Sequence, residues 1–314
     1  MSTNLSSTSA LIRPNIAPGS TDLIFAATDL INFLRSKGLM VANDGGIPVK
    51  WQVGDGDNGS AEVFVESQGL PVAGNPTYSQ ASIAAAKYLR AVAKVTGHVR
   101  DQIARGGFVL NAADDALANA IKVLMDLMES TLAGTATDCS IGNAIDSTGT
   151  YAGLAAATVT EWASYESAVG GVLTRAALSG MHRDLIDAPR GANPDAILCD
   201  LNQVENYVNI VDAASSSFAR TNPRAEFGQP YDLGVTKTAR VSYQGIEFVP
   251  VRSITTTELY MVDIASGFRV LMQRDLEVKK LGETDDDDRS QISLGYVLQV
   301  KNRRKHGKLT GVTA

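Results

Sequence analysis

Residues Val49–Glu66 read VKWQVGDGDNGSAEVFVE, and Gly54, Gly56 and Gly59 stand in the spacing G-x-G-x-x-G. That spacing holds a dinucleotide only where a strand leads in and a helix leads out, because helix amides and a positive dipole end must meet the pyrophosphate. Here both flanks have period two: Ile47, Val49, Trp51 and Val53 before the glycines, Ala61, Val63 and Val65 after them. Alternation of that kind marks strands, so the stretch predicts a β-hairpin with a flexible tip. Asp55 and Asp57 would repel a phosphate, and the nucleotide reading is set aside. Asp55, Asp57 and Glu66 also fall at the first, third and twelfth positions of an EF-hand loop. Gly59 replaces the fifth ligand, Ser60 replaces the required glycine and no helices flank the loop, so that reading fails too.

The chain has 314 residues, 44% hydrophobic and 20% charged, enough for one elaborate domain or two simple ones,. A net charge of −6 argues against a surface that clings to nucleic acid throughout and leaves room for a local basic patch,. Cys139 and Cys199 lie far apart without a C-x-x-C pair, which indicates neither a disulfide framework nor a zinc site,. The opening MSTNLSSTSALIRPNIAPGS has no basic region leading into an apolar run, and no stretch of about 18 apolar residues follows,. It reads as a polar arm of a protein neither exported nor membrane-bound.

Leu23, Ala26, Leu30 and Leu34 predict a short helix, with Thr21 or Asp22 as cap and Gly38 as stop,. Gly69, Pro71, Gly74 and Pro76 close the hairpin,. Leu89, Ala91, Ala93 and Val95 predict a strand,. Leu117, Ile121, Leu124, Met128 and Leu132 then predict a long amphipathic helix over Asn111–Ala133, with Gly134 ending it,. Leu173, Ala177, Met181 and Leu185 mark another helix, and Val204, Tyr207, Val208 and Val211 a further one opened by an Asn202/Glu205 capping box,. PDAILCD between them reads as a short buried strand. From about Lys237 onward the chain turns to strands: ARVSY, IEFVPV, ELYMVDI, FRVLMQ, LEVKKL and ISLGYVLQV, with a basic tail KNRRKHGKL. The class is α+β, with segregated elements.

His98, His182 and His306 are far apart, without H-E-x-x-H or G-x-S-x-G, and read as surface or interface residues,. Asp285, Asp286, Asp287 and Asp288 could gather a hard cation, but a solvated tip between strands is the preferred reading,. Arg303, Arg304, Lys305 and Lys308 form a basic patch without interleaved aromatics, which suits a neighbouring protein chain better than stacked bases,. No catalytic, cofactor or metal residue is expected.

The order of these blocks resembles the major capsid protein of tailed bacteriophages, the Hong Kong-97-type fold. The likeness is carried by STGTYAGLAAATVTEWASYE (Ser147–Glu166), NPDAILCDLNQVENYVNI (Asn193–Ile210) and VPVRSITTTELYMVDIASGFRVLMQRDLEV (Val249–Val278), taken in order. The resemblance implies an N-terminal arm and short helix over 1–38 and an extended hairpin loop over 39–76. It implies a peripheral domain with a spine helix over 77–135, an axial domain over 136–262 and a return to the peripheral domain over 263–314. It further implies a self-assembling icosahedral shell of hexamers and pentamers around double-stranded DNA touched non-specifically, built in the host cytoplasm with a portal and decoration proteins. Scaffolding is expected to come from a separate protein or to be dispensable, because only a short arm precedes the first helix. Ile47–Leu70 would lie over a neighbouring subunit, with Trp51 and Phe64 packing there or on their own chain. Lys50 is the lysine of this hairpin, although its cross-linking partner has no motif. With Asp55, Asp57, Asp285, Asp286, Arg303, Arg304 and Lys305, these are the candidate contacts between subunits. Two alternatives stand beside this reading: an encapsulin-like compartment that holds cargo enzyme, and a soluble hydrolase whose groups converge only on folding.

Overall fold

The computed structural model describes residues 29–54, 77–98, 112–187, 189–217, 241–284 and 287–313. Its helices are Asp29–Ser36 (α1), Ala112–Ala133 (α2), Ile141–Ala144 (α3), Arg175–Ile186 (α4) and Leu201–Ser217 (α5). Its early strands are Met40–Ala42 (β1), Val49–Gly54 (β2), Tyr78–Ile83 (β3), Lys87–Thr96 (β4), Thr150–Tyr151 (β5), Leu154–Ala155 (β6) and Tyr165–Val172 (β7). The later ones are Ala196–Cys199 (β8), Ser242–Tyr243 (β9), Ile246–Pro250 (β10), Leu259–Val262 (β11), Phe268–Thr284 (β12), Asp287–Val300 (β13) and Gly307–Thr313 (β14).

Two sheets organise the body. One has the order β1-β12-β13-β4, the other β7-β14-β11-β8-β10-β9. α2 lies across β4 and β13. It buries Leu124, Met128 and Leu132 and half-buries Leu117 and Ile121, which is the predicted stripe. The Thr131 hydroxyl on this helix meets the Tyr296 hydroxyl at 2.8 Å. Along β4, Leu89 and Ala93 turn inward, while Tyr88, Arg90, Val92 and Lys94 are exposed on the opposite face,.

The six-stranded sheet is covered on both sides. Ile197 and Cys199 of β8 pack with Leu178, Met181 and Leu185 of α4, whereas Ala196 and Leu198 join the core that α2 caps. A strand buried on both faces has no reason to alternate, which is why PDAILCD is apolar without interruption. α1 buries Leu30, Ile31 and Leu34 against that same larger core. It ends at Gly38, whose φ of 66° suits glycine, and the Leu39 amide reaches the Leu34 carbonyl at 2.9 Å,.

Several expectations need correction. The strand that returns against β2 is Tyr78–Ile83, in the register Val49↔Ile83 to Gly54↔Tyr78; Ala61, Val63 and Val65 lie outside the described residues. The true partner was hard to see because YSQASI buries only Ala81 and Ile83. Met40–Ala42 is not part of a loop but pairs in parallel with β12. Leu173 precedes α4, which Thr174 caps by accepting the Ala177 amide at 3.2 Å. The residue opening α5 is Asp200, whose carboxylate accepts the Asn202 amide at 3.3 Å,. FRVLMQ and LEVKKL are one strand, because register shifts near Met272, Arg274 and Glu277 let β12 run on,. Finally, β14 does not stay with β12 and β13. It lies between β7 and β11 in the six-stranded sheet, so the final segment serves both sheets.

Candidate assembly surfaces

The β2–β3 pair is anchored at one end. Val49, Ala81 and Ile83 are buried at its base, and Gly54 and Tyr78 are exposed at its far end. Trp51 is committed to its own chain: its indole N–H donates to the Lys301 carbonyl at 3.3 Å, and its ring lies 6.4 Å from that of Tyr151, which stacks on Trp162. Lys50 is exposed on β2 opposite Ser82. Asp55, Asp57 and Phe64 lie outside the described residues.

The face of the four-stranded sheet away from α2 is a second surface. Cross-strand rows place Tyr88 beside Gly295 and Arg274, Arg90 beside Ser293 and Glu277, and Val92 beside Gln291 and Lys279. Tyr88 and Val92 are more than half exposed, at 57% and 55%, large apolar surfaces that a solitary subunit would cover,. Gly295 makes the first row possible, since a Cβ there would stand 2.7 Å from the Tyr88 ring. Further along, the Asp287 carboxylate takes Lys94 at 2.7 Å and Arg289 at 3.0 Å, and hydrogen bonds from these two cations hold it below the ordinary carboxylate range,. Asp287 is therefore a paired strand residue and not part of a solvated tip; Asp285 and Asp286 lie outside the described residues.

The supposed basic patch comes apart. Arg303 is fully buried in a short 3₁₀ turn. Its Nε donates to the Ala144 carbonyl at 3.0 Å, and its Nη2 to Thr148 at 2.8 Å and Asn143 at 3.3 Å. Burial lowers its pKa, opposed by the nearby carboxylates of Asp146, Asp138 and Glu166. Lys308 is buried too, 3.2 Å from Glu258, whose other oxygen accepts the Tyr260 hydroxyl at 2.5 Å. Arg304 pairs with Glu161. Arg304 and Lys305 keep partial exposure. The tail alternates charge with turn residues, and nothing in that pattern separates a guanidinium aimed inward from one aimed outward.

His306 corrects the expectation of a surface histidine. It is fully buried, its Nδ1 accepts the Asp263 amide at 3.2 Å, and its Nε2 lies 3.3 Å from the Ser266 hydroxyl. That hydroxyl donates to the Asp263 carbonyl, so the proton of the neutral ring belongs on Nε2,. Burial pushes its pKa down to about 3. Glu129, unnoticed in the sequence, is another buried titratable group. One of its oxygens accepts the amides of Leu30 and Ile31 at 3.1 and 3.4 Å, and the other is buried without a hydrogen-bond partner. Desolvation raises it to about 7,. Its spacing from Met125 and Leu132 was the signal that it faced the core. Among the described residues no group of three or more His, Cys, Asp and Glu is placed to hold a metal ion, and no helix is long and apolar enough to cross a membrane.

Solved structures similar to this chain include capsid and encapsulin shells. The cyanophage A-1(L) capsid subunit is 16% identical with a TM-score of 0.71, covering 99% of this chain and 100% of that one. The capsid of a native GTA particle is 15% identical at 0.65, with 99% and 100% covered. The SrpI encapsulin of Synechococcus elongatus PCC 7942 is 12% identical at 0.62, with 99% and 96% covered. No curated protein matches the chain in sequence. The family model described as SU10 major capsid protein matches residues 89–313, from β4 through β14 and so through both sheets. The chain therefore belongs to the SU10 major capsid protein family and is a structural protein of a bacteriophage virion shell, with a Hong Kong-97-like fold.

Proposed function

We propose that the shell is icosahedral, that it is built from hexamers and pentamers of this chain, and that it encloses a double-stranded DNA genome. The observation that carries this reading is the family match over residues 89–313, which spans both sheets. In this reading α1 and the residues before it form an arm, and the segment between β2 and β3 extends over a neighbouring subunit. α2 with the four-stranded sheet is the peripheral domain, and the six-stranded sheet gathers around the symmetry axes. The base of the hairpin supports this: a two-stranded ribbon that buries one end and exposes the other needs a further surface to cover it,. A scaffolding protein, a portal and decoration proteins complete the particle, which assembles in the host cytoplasm. DNA is touched non-specifically, and the chain itself catalyses no reaction.

The test is expression with and without a candidate scaffold, followed by electron microscopy. Closed shells or capsomers are expected. A strictly monomeric protein at high concentration, even with scaffold present, would overturn the reading.

A further inference from the structure

Glu129 belongs to α2 and is fully buried, yet its hydrogen bonds run to a different helix. One carboxylate oxygen accepts the Leu30 and Ile31 amides in the first turn of α1, at 3.1 and 3.4 Å. Amides at a helix start have no partner within their own helix, so a side chain of α2 supplies part of the cap of α1. The second oxygen is buried without a hydrogen-bond partner. The charges that act on it among the described residues are Asp29 from α1 and Asp126 from one turn earlier on α2, both carboxylates that oppose its ionisation. Tyr296, the titratable group that β13 brings to this end of α2, is engaged with the Thr131 hydroxyl, and burial pushes its pKa up to about 12. Two tendencies compete at Glu129. The positive end of α1 and the two amides favour the anion, whereas desolvation and the two like charges favour the neutral acid. Desolvation is the largest of these, and the acid form persists to about pH 7.

α1 depends on this contact more than the body does. It has eight residues, too few to stay helical without tertiary support,. That support includes the burial of Leu30, Ile31 and Leu34, the cap from Glu129 and a partly exposed ion pair from Lys37 to Glu247 at 3.7 Å. β1, which follows it, pairs with β12 over three residues only. α2, by contrast, packs on β4 and β13. We propose that Glu129 is a proton-operated latch: neutral, it holds α1 docked on α2, and ionised, it releases α1 while the two sheets stay folded. The docked carboxyl keeps its proton up to about pH 7, and the undocked one, returned to water, releases it near the ordinary 4.5. Docking is therefore at full strength below pH 4.5, weakens about tenfold per pH unit as pH rises toward 7, and levels off above that,. The latch works within one subunit and does not depend on the shell.

The experiment is amide hydrogen exchange of the full chain as free subunit, read by mass spectrometry on peptides covering α1 and, as the internal reference, β12 and β13. Wild type and Glu129→Gln are compared at each pH, so that the chemical pH dependence of exchange cancels in the ratio. Glutamine keeps an acceptor for the Leu30 and Ile31 amides and has no proton to lose. The protection of α1 in wild type relative to Glu129→Gln should fall on the order of a hundredfold between pH 5 and pH 8, while the β12 and β13 peptides keep a constant ratio. Asp126→Asn removes one of the two like charges and should move the wild-type midpoint to lower pH. Parallel α1 profiles in wild type and Glu129→Gln overturn the proposal. A loss of protection shared equally by α1, β12 and β13 also overturns it, because the proton would then act on the whole body. An unmoved midpoint in Asp126→Asn would assign the transition to another group and overturn it as well. Should Glu129→Gln fail to fold, the Asp126→Asn midpoint decides alone.

Discussion

Arg303 and Arg90 are both arginines in β-rich segments, and the fold uses them in opposite ways. Arg303 is enclosed and divides its donors among three backbone carbonyls that link the turn after α3 to the end of β13. The Arg90 side chain stands on an open sheet face with no hydrogen bond or ion pair among the described residues. The first ties parts of one subunit together, and the second faces outward from its sheet. Cationic residues in this chain are not sorted by their density along the sequence, since in the densest basic run Arg303 is buried while Arg304 and Lys305 keep partial exposure.

The largest expected effect falls on the internal side. Arg303→Met leaves the carbonyls of Asn143, Ala144 and Thr148 buried without their donor and should cost on the order of 3–5 kcal/mol, read by denaturant unfolding of the free subunit. Arg304→Ala, one residue on, removes only a partly exposed pair with Glu161 and should stay within about 1 kcal/mol. Similar losses at the two positions would break the distinction between them.

Buried titratable groups come next. His306 has its folded pKa pushed below the ordinary 6.5 to about 3, so its contribution to stability is complete above pH 6.5 and is lost as pH falls toward 3. The slope is about 1.4 kcal/mol per pH unit once the unfolded histidine is charged. Glu129 acts in the reverse sense. Its pKa is raised from 4.5 to about 7, so the folded state holds a proton that the unfolded state has released, and stability falls as pH rises from 4.5 to 7. The two oppose one another between pH 4.5 and 6.5. Glu129→Gln should therefore give a subunit whose stability climbs with pH across that window more steeply than wild type. A variant with the same pH profile as wild type would show that Glu129 does not hold its proton.

Much of the fold was legible because burial imposes period. The stripe from Leu117 to Leu132, the run AILC and the alternation from Leu89 to Val95 each announced their element. The candidate contacts were far less legible. Alternation along β4 was read for its inward residues, and the same signal gave Tyr88, Arg90 and Val92 as the outward set. Arg303 could not be read, because its partners are backbone carbonyls more than 150 positions away in sequence. Likewise β14 could not be placed, since adding a strand between β7 and β11 depends on the sheet already present.

A smaller effect probes the hairpin base, where the two regimes meet. Trp51→Ala removes a half-buried ring and its hydrogen bond to Lys301, which should cost about 1–3 kcal/mol. Because the contacts are intrachain, calorimetry should find the free subunit and the shell destabilised alike. A loss confined to the shell would move Trp51 to the side of Arg90.

The smallest change in stability should come from Gly295→Ala, and it sharpens the comparison most. The new methyl group would stand 2.7 Å from two carbons of the Tyr88 ring, and 3.6 Å from the Cβ of Arg274. The ring is more than half exposed and can swing aside. The loss of glycine also reduces the freedom of the unfolded chain, which offsets part of any strain. Unfolding of the free subunit should therefore shift by less than about 1 kcal/mol. Displacing Tyr88 nevertheless reshapes the exposed face that it shares with Arg90 and Arg274, so shell yield should fall. The cause is separable by a cycle: with Tyr88→Ala already in place, Gly295→Ala should produce no additional loss of shells, because the group it displaces is gone. An additional loss of the same size would mean that Gly295 acts through β13 itself, as Arg303 acts through the interior, and not through the face that Arg90 shares.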